Sequence, residues 1–239
     1  MTEVIYLHIP KTGGTYVARN DDVISPINDL NHSAIVTKSK PSPYYPPSPG
    51  YLESMRKDIS ILTGDRICFA TVRNPFSWLV SYWFHAGCDI PESEKPSHYD
   101  YTLARKGFKE FVTTIANRDV GWPSNKFIHF AIFCYDGDLI VDRLVHQDNL
   151  DAELKELAED YGLQYRRGGR VRVSEGAKDY RTYYDDNLID LVQDTWGREL
   201  SLFGYDFDGK IDGVLGKVIT AEQKEDIKYF WATDTFIRG

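Results

Sequence analysis

Eight residues near the start of the chain, His8-Ile9-Pro10-Lys11-Thr12-Gly13-Gly14-Thr15, combine the residue types of an anion-binding turn. Lys11 supplies a mobile full charge, Thr12 and Thr15 add hydroxyl donors, and Gly13 and Gly14 let the backbone approach an anion without a Cβ in the way. The chemistry open to such a turn is binding and polarising a phosphate or phosphosulfate. A chain that turns sharply after a strand and enters a helix aims several N–H groups, and the positive end of the helix dipole, at one spot. A lysine beside two glycines is also what a tight connection looks like. The order differs from the Gly-x4-Gly-Lys-Ser/Thr loop of nucleoside triphosphatases, because Lys11 precedes the glycines and no first Gly stands at the required distance.

The elements that must position this turn follow from apolar patterning. Val4–Ile9 is a short β-favouring run that ends at Pro10, and a helix can begin at Thr15. Arg66–Val72 is a continuous apolar run of strand length, as expected of a strand buried on both faces of a parallel sheet. Pro75 fits a first helical turn, and Trp78, Leu79, Tyr82 and Trp83 then repeat at helical spacing. Leu139–Val145 reads as a third strand, and residues 151–161 and 180–200 as amphipathic helices. Strands alternating with helices predict a layered α/β fold. Residues 40–50 hold five of the eleven prolines and read as a loop, either a surface connection or a lid over an acceptor site.

Composition bounds the classes of function. A chain of 239 residues with 42% hydrophobic positions can fill one sizeable core, so a single domain over 1–239 is expected. The net charge of −8 argues against a nucleic-acid partner, which needs clustered Lys and Arg. No apolar run reaches the roughly 18 residues of a bilayer span, and no secretory pattern opens the chain. Cys68, Cys88 and Cys134 are far apart and read as reduced and structural, with no metal-ligand spacing.

The full eight-residue string resembles the 5'-phosphosulfate loop of the sulfotransferases that use 3'-phosphoadenosine 5'-phosphosulfate (PAPS). Its wording is most similar to the carbohydrate branch that includes the heparan sulfate 2-O- and 6-O-sulfotransferases. The resemblance implies a P-loop-like three-layer α/β/α fold with a central, mainly parallel sheet, and a second anion site for the donor's 3'-phosphate. Val72–Tyr82 is similar to the family's second motif, in which an Arg ending a strand and a Ser eight positions later grip that phosphate; these positions are Arg73 and Ser81. Arg offers a rigid fork of donors to phosphate, and a Ser two helical turns on can share its side. His146–Asp151, Tyr180–Tyr184 and Leu202–Phe207 are similar to stretches that follow in the same order, which places about 3–209 under the resemblance and leaves 210–239 as a C-terminal extension. Arg170, Arg172 and Ser174 lie where the branch often contacts the donor.

Sulfuryl transfer to a hydroxyl needs a general base and a cation beside the leaving phosphate. Lys11 is the cation, and loop residues Lys11 to Thr15 with Arg73 and Ser81 form the donor site. His8, His32, His85, His98, His129 and His146 are the histidines available. The resemblance selects His32, which stands between the two donor motifs as the branch's catalytic His does; Asp29, Glu53 and Asp89 remain alternatives. No metal is expected. The runner-up readings are a kinase-like transferase using ATP with magnesium, and a noncatalytic nucleotide-binding module. The acceptor is expected to be a hydroxyl of a glycan or small molecule and the location cytoplasmic, in a bacterial or viral setting; no oligomeric state follows.

Overall fold

The computed structural model describes residues 4–7, 9–18, 67–89, 99–118, 123, 139, 141–163, 165 and 179–227. Three parallel strands, β1 (Val4–Leu7), β2 (Ile67–Val72) and β3 (Arg143–His146), lie in the order β1-β2-β3. Leu7 pairs with Ala70, Ala70 with Leu144 and Val72 with His146, so the carboxyl ends of the strands meet along one edge. The described helices are α1 (Gly14–Ala18), α2 (Pro75–Phe84), α3 (Tyr99–Ala104), α4 (Phe108–Ala116), α5 (Leu150–Asp160) and α6 (Asp186–Phe203).

Alternation along the strands builds two cores. Val4, Tyr6, Phe69 and Val145 face one side and pack with Val17 of α1 and Leu154, Leu157 and Ala158 of α5. Cys68, Ala70, Val72 and Leu144 face the other side, against Trp78 and Leu79 of α2, Phe111 and Ile115 of α4, and Val192 and Trp196 of α6. The result is helices on both faces of a parallel sheet, the α/β fold expected from the sequence. Burying each of these large side chains contributes about 1.5–3 kcal/mol. On the α5 side, Tyr16 and Tyr165 both donate to the Asp151 carboxylate and tie α1 to α5.

Two expected elements differ in extent. The third strand begins at Arg143 rather than at Leu139, because the Asp142 side chain intervenes. Its Oδ2 accepts the Cys68 N–H at 2.7 Å, the donor a regular ladder would use, and its own N–H donates to the Cys68 carbonyl at 2.7 Å. The helix expected over 180–200 is two pieces, a 3-10 turn at Tyr180–Tyr183 and α6 from Asp186. The break lies at Asp185, whose carboxylate accepts the Leu188 N–H at 2.9 Å and caps α6. At its other end α6 stops at Gly204, with φ 72°, where a Cβ would lie 2.5 Å from the Ile211 carbonyl.

The chain then returns to the sheet. Val218 bridges Arg143 in antiparallel fashion, and the Leu144 N–H donates to the Lys217 carbonyl at 2.8 Å. Leu215, Ile219 and Ile227 are buried in the same core as α2 and α6, so the described part of the C-terminal extension packs with the body of the protein.

Candidate active site

The loop between β1 and α1 is shaped by donors that take three successive carbonyls. Thr12 Oγ1 donates to Ile9 O at 2.7 Å, Trp78 Nε1 to Pro10 O at 2.8 Å, and Arg73 Nη1 to Lys11 O at 3.1 Å. In a trans peptide the N–H lies opposite the carbonyl. The Lys11 and Thr12 N–H groups, which follow the Pro10 and Lys11 carbonyls, are therefore turned away from Trp78 and Arg73. Lys11 has φ 68° and Gly13 φ 103°. A left-handed residue in such a run makes the concave N–H arrangement that binds anions, and holding a lysine there costs about 1 kcal/mol or more.

Two loop residues work differently from the sequence expectation. The Thr12 hydroxyl is fully buried, and its one proton is given to Ile9 O. With that proton committed, Thr71 Oγ1 donates to Thr12 Oγ1 at 2.6 Å, and Tyr6 to Thr71 at 2.9 Å. Burial pushes the Tyr6 phenol up, which keeps it a donor at the head of this chain. Gly13 is required by its φ and by α5, since a Cβ there would lie 2.8 Å from Leu150 Cδ2 and 3.7 Å from Gln147 Cγ. Gly14 opens α1; of Thr15 the backbone is described.

Arg73 leaves β2 one residue after the last paired position and joins two strand ends. Besides its bond to Lys11 O, its Nε donates to Ser77 Oγ at 2.8 Å. Burial draws the guanidinium down to about 10 and the Asp148 carboxylate pulls it back up, so it is charged at neutral pH. The neighbouring Asn74 caps α2: its Oδ1 accepts the Phe76 N–H at 3.0 Å while its Nδ2 donates to Asp206 O at 2.8 Å. Ser81, two turns along α2, is 5% exposed, and among the described residues its hydroxyl has no hydrogen-bond partner. Arg73, just before the cap of α2, and Ser81, within the helix, make no direct bond, and Ser77 is the serine that accepts from Arg73. Ser77 went unnoticed in the sequence, although its i, i+4 spacing from Arg73 was the available signal.

The β3 end is held by a buried acid. His146 Nδ1 faces Glu153 Oε2 at 3.0 Å, its backbone N–H donates to the same oxygen at 2.7 Å, and its Nε2 faces Phe203 O at 3.2 Å. Burial opposes the charge on Glu153, but the His146 hydrogen bonds, with Lys210 Nζ at 3.3 Å, hold its carboxyl at about 2. With both ring nitrogens occupied, His146 is a structural histidine. His85 sits in the π-helical turn His85–Asp89 that continues α2. His8, His32, His98 and His129 lie outside the described residues, as do Asp29, Glu53, Arg170, Arg172, Ser174 and the loop 40–50; so does the Asp89 side chain.

Lys11 and Arg73 thus follow the carboxyl ends of two adjacent strands, the place where parallel α/β proteins commonly bind ligands. The chain belongs to the sulfotransferase family, whose model matches residues 2–206, a span that includes Lys11, Arg73 and β3. It is therefore a transferase of sulfuryl groups with the α/β fold of that family. Neither the curated proteins nor the solved structures compared with the chain gave a match. Among the described residues no helix is long and apolar enough to cross a membrane, and no group of three or more His, Cys, Asp or Glu could hold a metal ion.

Proposed function

We propose that the protein transfers the sulfuryl group of PAPS to a hydroxyl of a carbohydrate, releasing 3'-phosphoadenosine 5'-phosphate. The observation that carries this reading is the bond between Arg73 Nη1 and Lys11 O, which sets the two expected anion sites side by side at the strand ends. The residues present fit the donor in two further respects. The Lys11 and Thr12 N–H groups, turned away from Trp78 and Arg73, suit the 5'-phosphosulfate, and the buried Ser81 hydroxyl, without a hydrogen-bond partner among the described residues, suits the 3'-phosphate.

In this reading His32 takes the proton of the acceptor hydroxyl as its oxygen bonds to sulfur. The bond from sulfur to the bridging phosphate oxygen breaks, and that oxygen leaves with the electron pair. Lys11 stabilises the charge growing there, and loop N–H groups hold the nonbridging oxygens, which is catalytic because the charge develops in the transition state. Resemblance to the heparan sulfate branch supports a glycan acceptor. The net charge of −8 favours a neutral glycan over a polyanionic one. We place the reaction in the cytoplasm and in a single domain spanning 1–239.

Heat stability with ligands tests the donor. 3'-Phosphoadenosine 5'-phosphate is expected to raise the melting temperature, and ATP with magnesium to leave it unchanged; the reverse pattern means a kinase-like enzyme. Transfer of labelled sulfate from PAPS to a panel of neutral and acidic glycans then tests the acceptor, and binding without transfer to any hydroxyl would leave only a nucleotide-binding module.

A further inference from the structure

Two buried serines stand on α2, and the donor reading uses only Ser81. Ser77 is the third residue of the helix. A serine inside a helix commonly returns its proton to a carbonyl one turn back, and Ser77 Oγ donates to Asn74 O at 3.2 Å. A hydroxyl has one proton. With it spent on Asn74 O, Ser77 Oγ turns only lone pairs toward Arg73, whose Nε donates to it at 2.8 Å. The carbonyl at the root of this relay is fixed in turn. Asn74 O also accepts the Trp78 N–H at 2.8 Å, while the Asn74 side chain accepts the Phe76 N–H and donates to Asp206 O. The acceptor that meets Arg73 is therefore built from the first turn of α2.

We propose that Ser77 is a positioning residue whose hydroxyl orients the Arg73 guanidinium for the donor's 3'-phosphate. The Arg73 backbone is fixed between the last paired residue of β2 and the cap of α2, but its head lies several rotatable bonds away. Two bonds to different atoms of a planar group set its plane. Nε meets Ser77 Oγ on the α2 side, and Nη1 meets Lys11 O on the loop side. Holding the fork in one orientation before the ligand arrives reduces the entropy lost when phosphate binds. A neutral hydroxyl does this without cost to the cation's attraction for an anion. A carboxylate at position 77 would hold Arg73 as well and repel the phosphate.

The inference rests on Arg73 as the 3'-phosphate contact, and one set of measurements separates the two. Dissociation constants are measured calorimetrically, on the full chain, for 3'-phosphoadenosine 5'-phosphate and for adenosine 5'-phosphate, which lacks the 3' group. Arg73→Ala decides the underlying reading: a larger loss on the bisphosphate keeps it, and an equal loss on both ligands ends it. With that reading standing, Ser77→Ala is expected to weaken the bisphosphate about tenfold, the size of a hydrogen bond to a charged group. Adenosine 5'-phosphate should bind unchanged, because the bond from Arg73 to Lys11 O remains. Alanine suits a helix interior, so the variant should fold. Ser77→Cys keeps the shape of the side chain but replaces its oxygen by a weak acceptor, and it is expected to lose nearly as much. Neither change should add to the loss in an Arg73→Ala background. Equal loss on both ligands, additivity with Arg73→Ala, or wild-type binding of the bisphosphate by either variant would each overturn the proposal.

Discussion

The loop after β1 and the turn after β3 reach the same edge of the sheet and are held there by opposite means. The loop is held through its backbone: its carbonyls at Ile9, Pro10 and Lys11 are taken by Thr12, Trp78 and Arg73, which turns the Lys11 and Thr12 N–H groups away from Trp78 and Arg73. The turn is held through a buried side-chain pair, His146 with Glu153, which consumes the strand's last N–H as well. Backbone anchoring uses the carbonyls and keeps the N–H groups, donors that no titration removes, on the other side of each peptide. The side-chain anchor depends on the charge of Glu153, and so on pH. The contrast explains why the cation expected to meet the donor stands on the loop while the β3 histidine is withdrawn into the core.

Lys11→Ala should separate catalysis from architecture most sharply. The Lys11 carbonyl, which accepts from Arg73, is kept by this substitution, so the melting temperature should move little. Turnover should fall about a hundred- to a thousandfold, the range for deleting one group that stabilises developing charge. Near-normal turnover would make the loop a connection and erase the contrast.

Glu153→Gln tests the other anchor. Removing a buried carboxylate that meets His146 twice and Lys210 at 3.3 Å is expected to cost about 3 kcal/mol at neutral pH, with denaturant unfolding as the measure. The pH dependence has a definite sign. The folded carboxyl lies at about 2, below the value near 4.3 of an unfolded glutamate, so its stabilisation is complete above that unfolded value and disappears as pH falls toward 2. Wild type should lose stability over that window, and Glu153→Gln should lose less. Parallel curves would show that the pair does not anchor the turn ionically.

What could be read in advance follows the same division. β2 was legible because an apolar run bounded by Arg66 and Arg73 has few alternatives to a strand buried on both faces, and α2 because Asn74 and Pro75 mark its start. Local backbone signals carried the loop too. Long-range side-chain substitutions were hidden: Asp142 takes a ladder N–H from Cys68 across 74 positions, and Tyr205 finds Asp148 across 57. Thr12 looked like a ligand donor because its type permits it, and nothing local says that its proton goes to Ile9 O. His146 could not be told from a catalytic histidine until its two partners, Glu153 and Phe203, were in place.

Gly13→Ala divides the loop's dependence on its own backbone from its dependence on α5. The left-handed φ of 103° strains any Cβ-bearing residue, and the added methyl would lie 2.8 Å from the mobile end of Leu150. Together these should cost about 2 kcal/mol. Repeating the change in a Leu150→Ala background relieves the contact and leaves the strain, so unfolding should show part of the loss restored. Full restoration would mean that crowding by α5, not φ, requires the glycine.

Trp78→Phe is expected to have the smallest effect and the most specific one. It keeps an aromatic ring near Tyr82 and deletes the indole N–H that holds Pro10 O at 2.8 Å, together with a small part of a buried ring. One such bond contributes about 1 kcal/mol, so stability should drop by that order. The Pro10–Lys11 peptide would then be free to rotate and to turn its N–H away from an anion. Affinity for 3'-phosphoadenosine 5'-phosphate should fall in step with stability, whereas Trp83→Phe, which removes an indole bond to Ala104 O far along α2, should lower stability alone. If both substitutions left ligand affinity untouched, the set of the loop N–H groups would not depend on its captured carbonyls, and the backbone half of the comparison would have to be abandoned.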